Sequence, residues 1–353
     1  MVNVAVLGGG GTGCYVAGEL TLRGYSVCLY EEKKYWHENI DGILEREGIE
    51  LTGLGVNGFA KIEKITDNLS EAIDGVELII VCMVAWRHKE LAEQLKPIVK
   101  DDDVIVMSAG NFGSIVLKHT FGLESKTVVG ETMGNMFSCR MVGDGVAVAA
   151  GPYKTKSVAA FPAKDNHKVL ERFSKFYSCK EAKNVFETAL NAPNVTIHLA
   201  ASLLNTGGIE RDPEFKLYRD GLSQGVINCQ KVIESEKHKI MAQLGYSSVV
   251  HTDYMDDLVQ YDKFPELDCF RDLAGPSSML HRYIVEDVLI GNSVLMRLGD
   301  LLGIPTPTVK ALIQIASAIN GENYFEKGIK LEDLGVTAAL PEEINRYLET
   351  GDY

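Results

Sequence analysis

Residues 2–31 read VNVAVLGGGGTGCYVAGELTLRGYSVCLYE, and this stretch decides the fold. Val2–Leu7 is an apolar, β-branched run that ends in glycines, the pattern of a strand buried on both faces of a parallel sheet. Gly8-Gly9-Gly10-Gly11-Thr12-Gly13 follows, then a helical segment, Cys14–Arg23, capped by Gly24. Tyr25–Tyr30 is a second strand and Glu31 closes it. Each glycine has a physical task in a nucleotide-binding turn. Gly8 makes the tight bend, Gly10 lets a pyrophosphate approach the main chain, and Gly13 lets the helix pack on the strand. Gly11 and Thr12 open the helix, whose free N–H groups suit a diphosphate. Glycines alone also fit a βα turn that holds nothing. The strand–helix–strand context and the acid 18 residues after Gly13 favour a dinucleotide.

Glu31 stands where an acid hydrogen-bonds a ribose 2′-OH, which favours NAD, because a carboxylate repels a 2′-phosphate. Lys33 and Lys34 follow directly and leave NADP as the alternative. Further along, Glu77–Met83, Asp103–Met107, Thr127–Gly130, Gly145–Ala150 and Lys156–Ala160 read as strands, with Ala85–Leu95 as a helix. Such alternation predicts a doubly wound α/β domain, whose ligands bind beyond the carboxyl ends of the strands. Met83–Trp86, Ser108–Asn111 and Glu131–Asn135 should therefore face the cofactor, with Val84 and Ala109 in contact with it. His88 is expected at the surface of a helix start. Ser70, Asp165 and Thr308 are the expected helix N-caps.

From Thr196 onward apolar residues recur at helical spacing, and strand signals nearly vanish. Tyr218–Leu244 reads as one long helix or a broken pair stopped by Gly245, Ser278–Leu302 and Thr308–Ala318 as two more helices, and Asn184–Asn194 as the linker. The expectation is a Rossmann-type dinucleotide-binding domain over residues 1–187, an all-α domain over residues 188–353, and a substrate cleft between them.

The 353 residues carry 35 basic and 49 acidic side chains, a net charge of −14. Residues 1–190 hold 21 basic and 25 acidic, and the remainder 14 and 24, so the excess acid belongs mostly to the helical half. A nucleic-acid or anionic-membrane binder needs basic patches, so neither partner is expected. Asp253–Asp272 holds seven acids and two bases and reads as a solvated face, with a lid as the alternative. Seven dispersed cysteines, without CxxC or metal-ligand spacing, read as reduced thiols in a cytoplasmic protein that holds no metal. Neither a signal peptide nor a membrane span is expected.

Two blocks in the helical half carry a family resemblance. NAPNVTIH over residues 191–198 with LLNTGGIE over 203–210, and RYIVEDV over 282–288 followed by Gly291, resemble the octopine/nopaline (opine) dehydrogenase family. Leu298-Gly299, the GIPTP of residues 303–307 and the LEDLG of 331–335 follow in that family's order, so the likeness covers the whole chain. It departs from the family pattern at Leu199 and Leu289, where the family has proline.

The resemblance implies NAD(P)H-dependent reduction of an imine formed between a 2-oxo acid and the amino group of an amino acid. It implies His198 as the catalytic histidine, Asp287 as the carboxylate that orients it, and Arg282 as the ligand of a substrate carboxylate. Histidine suits a proton donor working near neutral pH, and arginine offers a planar fork to a carboxylate. Thr132 and Asn205 are further candidates for binding substrate, and a homodimer is left open. Arg282 and Asp287, five apart, lie about 140° apart on a straight helix, so they should reach different partners. Two other classes stay in view: a ketopantoate-reductase-like or hydroxy-acid dehydrogenase, and an NAD(H)-binding sensor without catalysis.

Overall fold

The computed structural model describes residues 2–36 and 38–352. The chain divides into two compact units, Met1–Thr188 and Ala189–Tyr353.

The described strands of the first unit are β1 (Val4–Leu7), β2 (Val27–Tyr30), β3 (Ile49–Gly53), β4 (Gly58–Ala60), β5 (Lys64–Thr66), β6 (Leu78–Val81), β7 (Val104–Met107), β8 (Val128–Thr132), β9 (Cys139–Gly143), β10 (Val146–Ala149), β11 (Lys156–Phe161) and β12 (Cys179–Glu181). Eight of them form one sheet in the order β12-β11-β8-β7-β6-β1-β2-β5. Every pairing in it is parallel except β8 with β11. Starting at β1, the chain builds outward through β2 and β5, then returns to the other side of β1 as β6, β7 and β8. The order therefore reverses between β1 and β6, where an open α/β sheet leaves a crevice for a ligand.

Alternation of side chains explains why these strands are apolar throughout. Val4 and Val6 join one core, whereas Ala5 and Leu7 join the other; Leu78 and Ile80 split from Ile79 and Val81 in the same way. Both faces of the sheet are buried, so β1, β6 and β7 are apolar at every position. Burying each aliphatic side chain contributes about 1.5–3 kcal/mol.

A second sheet, β4-β3-β10-β9, was not expected. Gly145–Ala150, read above as part of the main alternation, forms β10 and pairs with β3 and β9. Only Ala147 and Ala149 of β10 are buried. That period-2 burial is the mark of a strand with one face on the core, here beside the helix Gly11–Leu22, and its partners are too short and glycine-rich to show clearly in sequence.

The second unit is helical. The stretch expected as linker is itself mostly helix, Val185–Leu190 and then Pro193–Leu203, with Pro193 in the first turn where its missing N–H costs nothing. Tyr218–Leu244 is broken into Leu217–Asp220 and Gln224–Leu244; Ser223 caps the latter by accepting from Val226 N, and Gly245 ends it at φ +70°. Ser278–Leu302, expected as one helix, is interrupted. It comprises Arg282–Asp287, a π turn over Val288–Asn292, and Ser293–Leu302. Asn68, rather than Ser70, caps Leu69–Ile73, and Thr306, rather than Thr308, precedes Pro307–Asn320. Asp165 stands before Asn166–Phe173 but makes no side-chain cap.

The acidic stretch Asp253–Asp272 is organised by a fully buried cation. Arg271 donates to the carbonyls of Leu258 and Phe264 and to Asp268 Oδ1, each at 2.8 Å. Among the described residues, no helix is long and apolar enough to cross a membrane.

Candidate active site

In the first unit, the glycine loop sits at the reversal point of the main sheet. Gly8 has φ +118°, and a Cβ there would lie 2.6 Å from the carbonyl oxygen of Cys82, at the end of β6. A Cβ on Gly13 would lie 1.8 Å from Gly8 O. These two glycines let strand, loop and helix meet. Gly10 differs. It has φ −77°, and a Cβ there would touch nothing within 4 Å. The protein itself leaves the space above Gly10 open, as a pyrophosphate lying on the loop requires. Gly11 and Thr12 are partly exposed, and the helix they open has neither a side-chain cap nor an acid in its first turn. Its leading N–H groups are thus suited to a diphosphate.

Glu31 is buried at the end of β2. Its Oε2 accepts from Gly9 N at 2.7 Å, and its Oε1 accepts from Glu32 N and from Arg87 Nη2, each at 2.9 Å. The acid therefore ties β2 to the glycine loop as well as standing where a ribose would lie. Val84 and Ala109 are half-buried just past the ends of β6 and β7, and Ala109 N reaches Asn135 Oδ1 at 3.4 Å. These residues fit an NAD-type dinucleotide.

Four placements differ from the sequence expectations or add to them. His88 is buried rather than at the surface; its Nε2 lies 3.3 Å from Met83 O, and burial pushes its pKa down to about 4. Thr132 is buried with its hydroxyl donating to Gly134 O at 2.7 Å, so that proton is spent on the main chain. Asn205 spends its amide on Ala201 O and Gly221 O, both at 2.8 Å. Both side chains, expected to bind substrate, have these protons engaged within the chain. Glu131, expected to face the cofactor, is instead fully buried under the helix Gly113–Phe121. It accepts from the N–H groups of Phe112 and Ser114 and, at 2.7 Å, from Ser114 Oγ. It thereby holds Asn111 and Phe112 at φ +49° and +66°, in the left-handed region. Burial lifts its carboxyl to about 7.

In the second unit, two helices bring His198 and Asp287 together. His198 Nδ1 lies 2.7 Å from Asp287 Oδ2. Asp287 Oδ1 accepts from Asn194 Nδ2 at 2.8 Å. Asn194 and His198 are four apart on Pro193–Leu203 and so share a face. Gly291 allows the close approach of the two segments, since a Cβ there would meet Val195 Cγ2 at 2.9 Å. Asn292 Nδ2 also donates to Val195 O at 2.9 Å. The Tyr283 ring stacks on the imidazole, with centroids 3.6 Å apart and planes 9° apart. Asp287 is buried and His198 keeps a small exposed edge. A carboxylate on Nδ1 makes that nitrogen the donor and assigns proton exchange to Nε2. Arg282 lies one residue from Tyr283, its guanidinium carbon 5.4 Å from the ring centroid, and makes no ion pair among the described residues. Asn194 and Tyr283 were missed in sequence, although the four-residue spacing of Asn194 and His198 was a usable signal.

A doubly wound dinucleotide domain followed by a helical domain with a histidine–carboxylate pair defines a two-domain nicotinamide-dependent dehydrogenase. The family models divide along the same line: residues 4–155 match ketopantoate reductase PanE/ApbA, and residues 181–320 match the α-helical domain of NAD/NADP octopine/nopaline dehydrogenase. The chain is 25% identical to an opine dehydrogenase of Arthrobacter sp. (strain 1C) and 24% identical to a vitopine synthase of Allorhizobium ampelinum, each alignment covering 98% of both chains. A solved octopine dehydrogenase with NADH and L-arginine superposes with a TM-score of 0.67 at 16% identity, covering 100% of this chain and 99% of that one. Residues 181–320 thus carry the α-helical domain of the octopine/nopaline dehydrogenase family, behind a dinucleotide domain of the PanE/ApbA type.

Proposed function

We propose that this enzyme joins a 2-oxo acid to the amino group of an amino acid and reduces the resulting imine, reversibly, with NAD(P)H. The product is an N-(1-carboxyalkyl) amino acid. The observation that carries this reading is the His198–Asp287 pair, 2.7 Å apart, in the domain that matches the opine family model.

Addition of the amine to the oxo group gives a carbinolamine, which loses water to become the imine. Loss of water needs a proton on the departing hydroxyl, and His198 Nε2 supplies it. Asp287 holds the imidazole by Nδ1 and stabilises its charged form, and Asn194 fixes the carboxylate. Tyr283 fixes the plane of the ring. Arg282 binds a substrate carboxylate through its fork. The bound nicotinamide supplies the hydride, and Gly8, Gly10, Gly11, Thr12, Gly13, Glu31, Val84 and Ala109 hold the dinucleotide. NAD is the cofactor proposed, on account of Glu31.

The test is NADH and NADPH oxidation with pyruvate, glyoxylate and 2-oxoglutarate, each crossed with a panel of amino acids. The expected product has the combined mass of both substrates less one water plus two hydrogens. Turnover of an oxo acid alone, giving that acid plus two hydrogens, would instead mean a hydroxy-acid dehydrogenase. Tight NADH binding without turnover of any pair would mean a sensor.

A further inference from the structure

We propose that Arg87 determines which dinucleotide this protein takes: paired with Glu31 it commits that acid to a ribose hydroxyl, and without the acid it becomes a ligand for a 2′-phosphate. The proposal rests on the cofactor reading above and adds a residue that neither the glycine motif nor the family blocks contain.

Arg87 closes the short turn Ala85–Arg87 beyond β6 and is buried. Its Nη2 is 2.9 Å from Glu31 Oε1 and 3.9 Å from a Glu32 carboxylate oxygen. The guanidinium carbon lies 3.7 Å from the Tyr35 ring centroid, which fixes the plane of the group. Its Nε is buried with no hydrogen-bond partner. The guanidinium is therefore anchored by one carboxylate and one ring, with donor capacity left over.

The chemistry of the pair follows. Arg87 fixes the Glu31 carboxylate against the glycine loop, so that Glu31 accepts from a ribose 2′-OH and repels a 2′-phosphate of about −2 charge. The nearby lysines are occupied in other ways. Lys33 lies over the Trp36 ring at 3.5 Å, and Lys34 pairs with both Glu32 and Glu90. Arg87 alone of these three touches Glu31. Removing the acid leaves a planar fork, already stacked on Tyr35, whose natural partner is a phosphate.

The experiment is equilibrium titration of the full chain with NADH and with NADPH, followed by nicotinamide fluorescence with no substrate present. Calorimetry with adenosine 2′,5′-bisphosphate provides a second readout. Wild type should bind NADH more tightly than NADPH. Arg87→Met should weaken NADH by about tenfold to a hundredfold. Glu31→Ser should bind NADPH and the bisphosphate at least about tenfold more tightly than wild type, and Glu31→Ser/Arg87→Met should lose that gain. Equal NADPH affinity in the single Glu31→Ser and the double variant overturns the proposal, as does unchanged NADH affinity in Arg87→Met. Where Arg87→Met does not fold, Arg87→Gln is read in the same way. Wild type that binds neither dinucleotide removes the cofactor reading itself, a different result from a cofactor bound without dependence on Arg87.

Discussion

The imidazole of His198 is held between two residues of one short helix: Asp287 on its Nδ1 at 2.7 Å, and the Tyr283 ring flat against its face at 3.6 Å. Four residues separate Tyr283 from Asp287, one helical turn, so both reach the same ring from Arg282–Asp287. Asp287→Asn keeps the shape but offers the imidazole an amide that no longer stabilises its charged form. Turnover should fall by about 10²–10⁴-fold, with substrate KM little changed and the acid limb of the pH–rate profile displaced. Wild-type kcat across pH would remove Asp287 from the mechanism.

Arg282 makes no ion pair among the described residues, and its guanidinium lies 5.4 Å from the centroid of the Tyr283 ring. Arg282→Lys keeps the charge and loses the fork. The KM of one carboxylate substrate should rise by about tenfold to a hundredfold, with the larger loss in Arg282→Ala. Thermal unfolding should barely change, because no ion pair is removed and the ring contact is long. Equal KM values in all three proteins would rule out carboxylate binding by this residue.

Gly10 and Gly13 separate the needs of the cofactor from those of the fold. A Cβ on Gly13 would sit 1.8 Å from Gly8 O, whereas one on Gly10 meets nothing within 4 Å. Gly13→Ala should destabilise the protein. Gly10→Ala should unfold at the wild-type temperature yet bind NADH at least about tenfold more weakly, because the methyl fills the space for the pyrophosphate. Fluorescence titration and calorimetric melting read the two effects. Normal NADH affinity in Gly10→Ala would show that the loop is not approached by a diphosphate.

Glu131 gives the pH dependence a defined sign. Burial lifts its carboxyl from 4.5 to about 7, so the folded chain retains a proton that the unfolded chain releases between those values. Its contribution to stability is fully present below pH 4.5 and is lost as pH rises through 7. His88, pushed down from 6.5 to about 4, acts the other way: its contribution is lost as pH falls through that window. Urea midpoints measured between pH 5 and 8 should decline less steeply, or rise more, in Glu131→Gln than in wild type. Parallel curves would show that Glu131 does not change its protonation on unfolding.

Arg271 is fully buried, and its charge faces Asp268 and main-chain carbonyls. Arg271→Met leaves those carbonyls without donors, while Asp268 stays solvated, and should cost about 1–3 kcal/mol for each carbonyl left buried. Denaturant titration measures it; a loss under 1 kcal/mol would mean that water replaces the guanidinium.

The central sheet was legible because both of its faces are buried, which forces runs such as Leu78–Val81 and Val104–Met107 to be wholly apolar. The glycine loop was legible because few other residues fit Gly8 and Gly13. The second sheet escaped notice because its strands have three to five residues and bury one face at most. His88 looked like an ordinary helix-start residue, since nothing local shows that Gly113 approaches it closely. The amide of Asn205 gave no sign that Gly221 O, sixteen residues on, would take one of its protons, whereas Gly134 O and Ala201 O are local acceptors for Thr132 and Asn205.

The sequence by itself determined the dinucleotide fold, the helical second half and the resemblance to opine dehydrogenases, because those follow from local periodicity and from motifs short enough to read along the chain. Only the tertiary structure decided what each polar group touches. Asp287 meets an imidazole 89 residues away, Glu31 meets both Gly9 and Arg87, and Glu131 lies beneath a turn built by another strand. A hydrogen bond reaches about 3 Å and is blind to sequence separation, so partners like these are fixed only when the helices and strands pack.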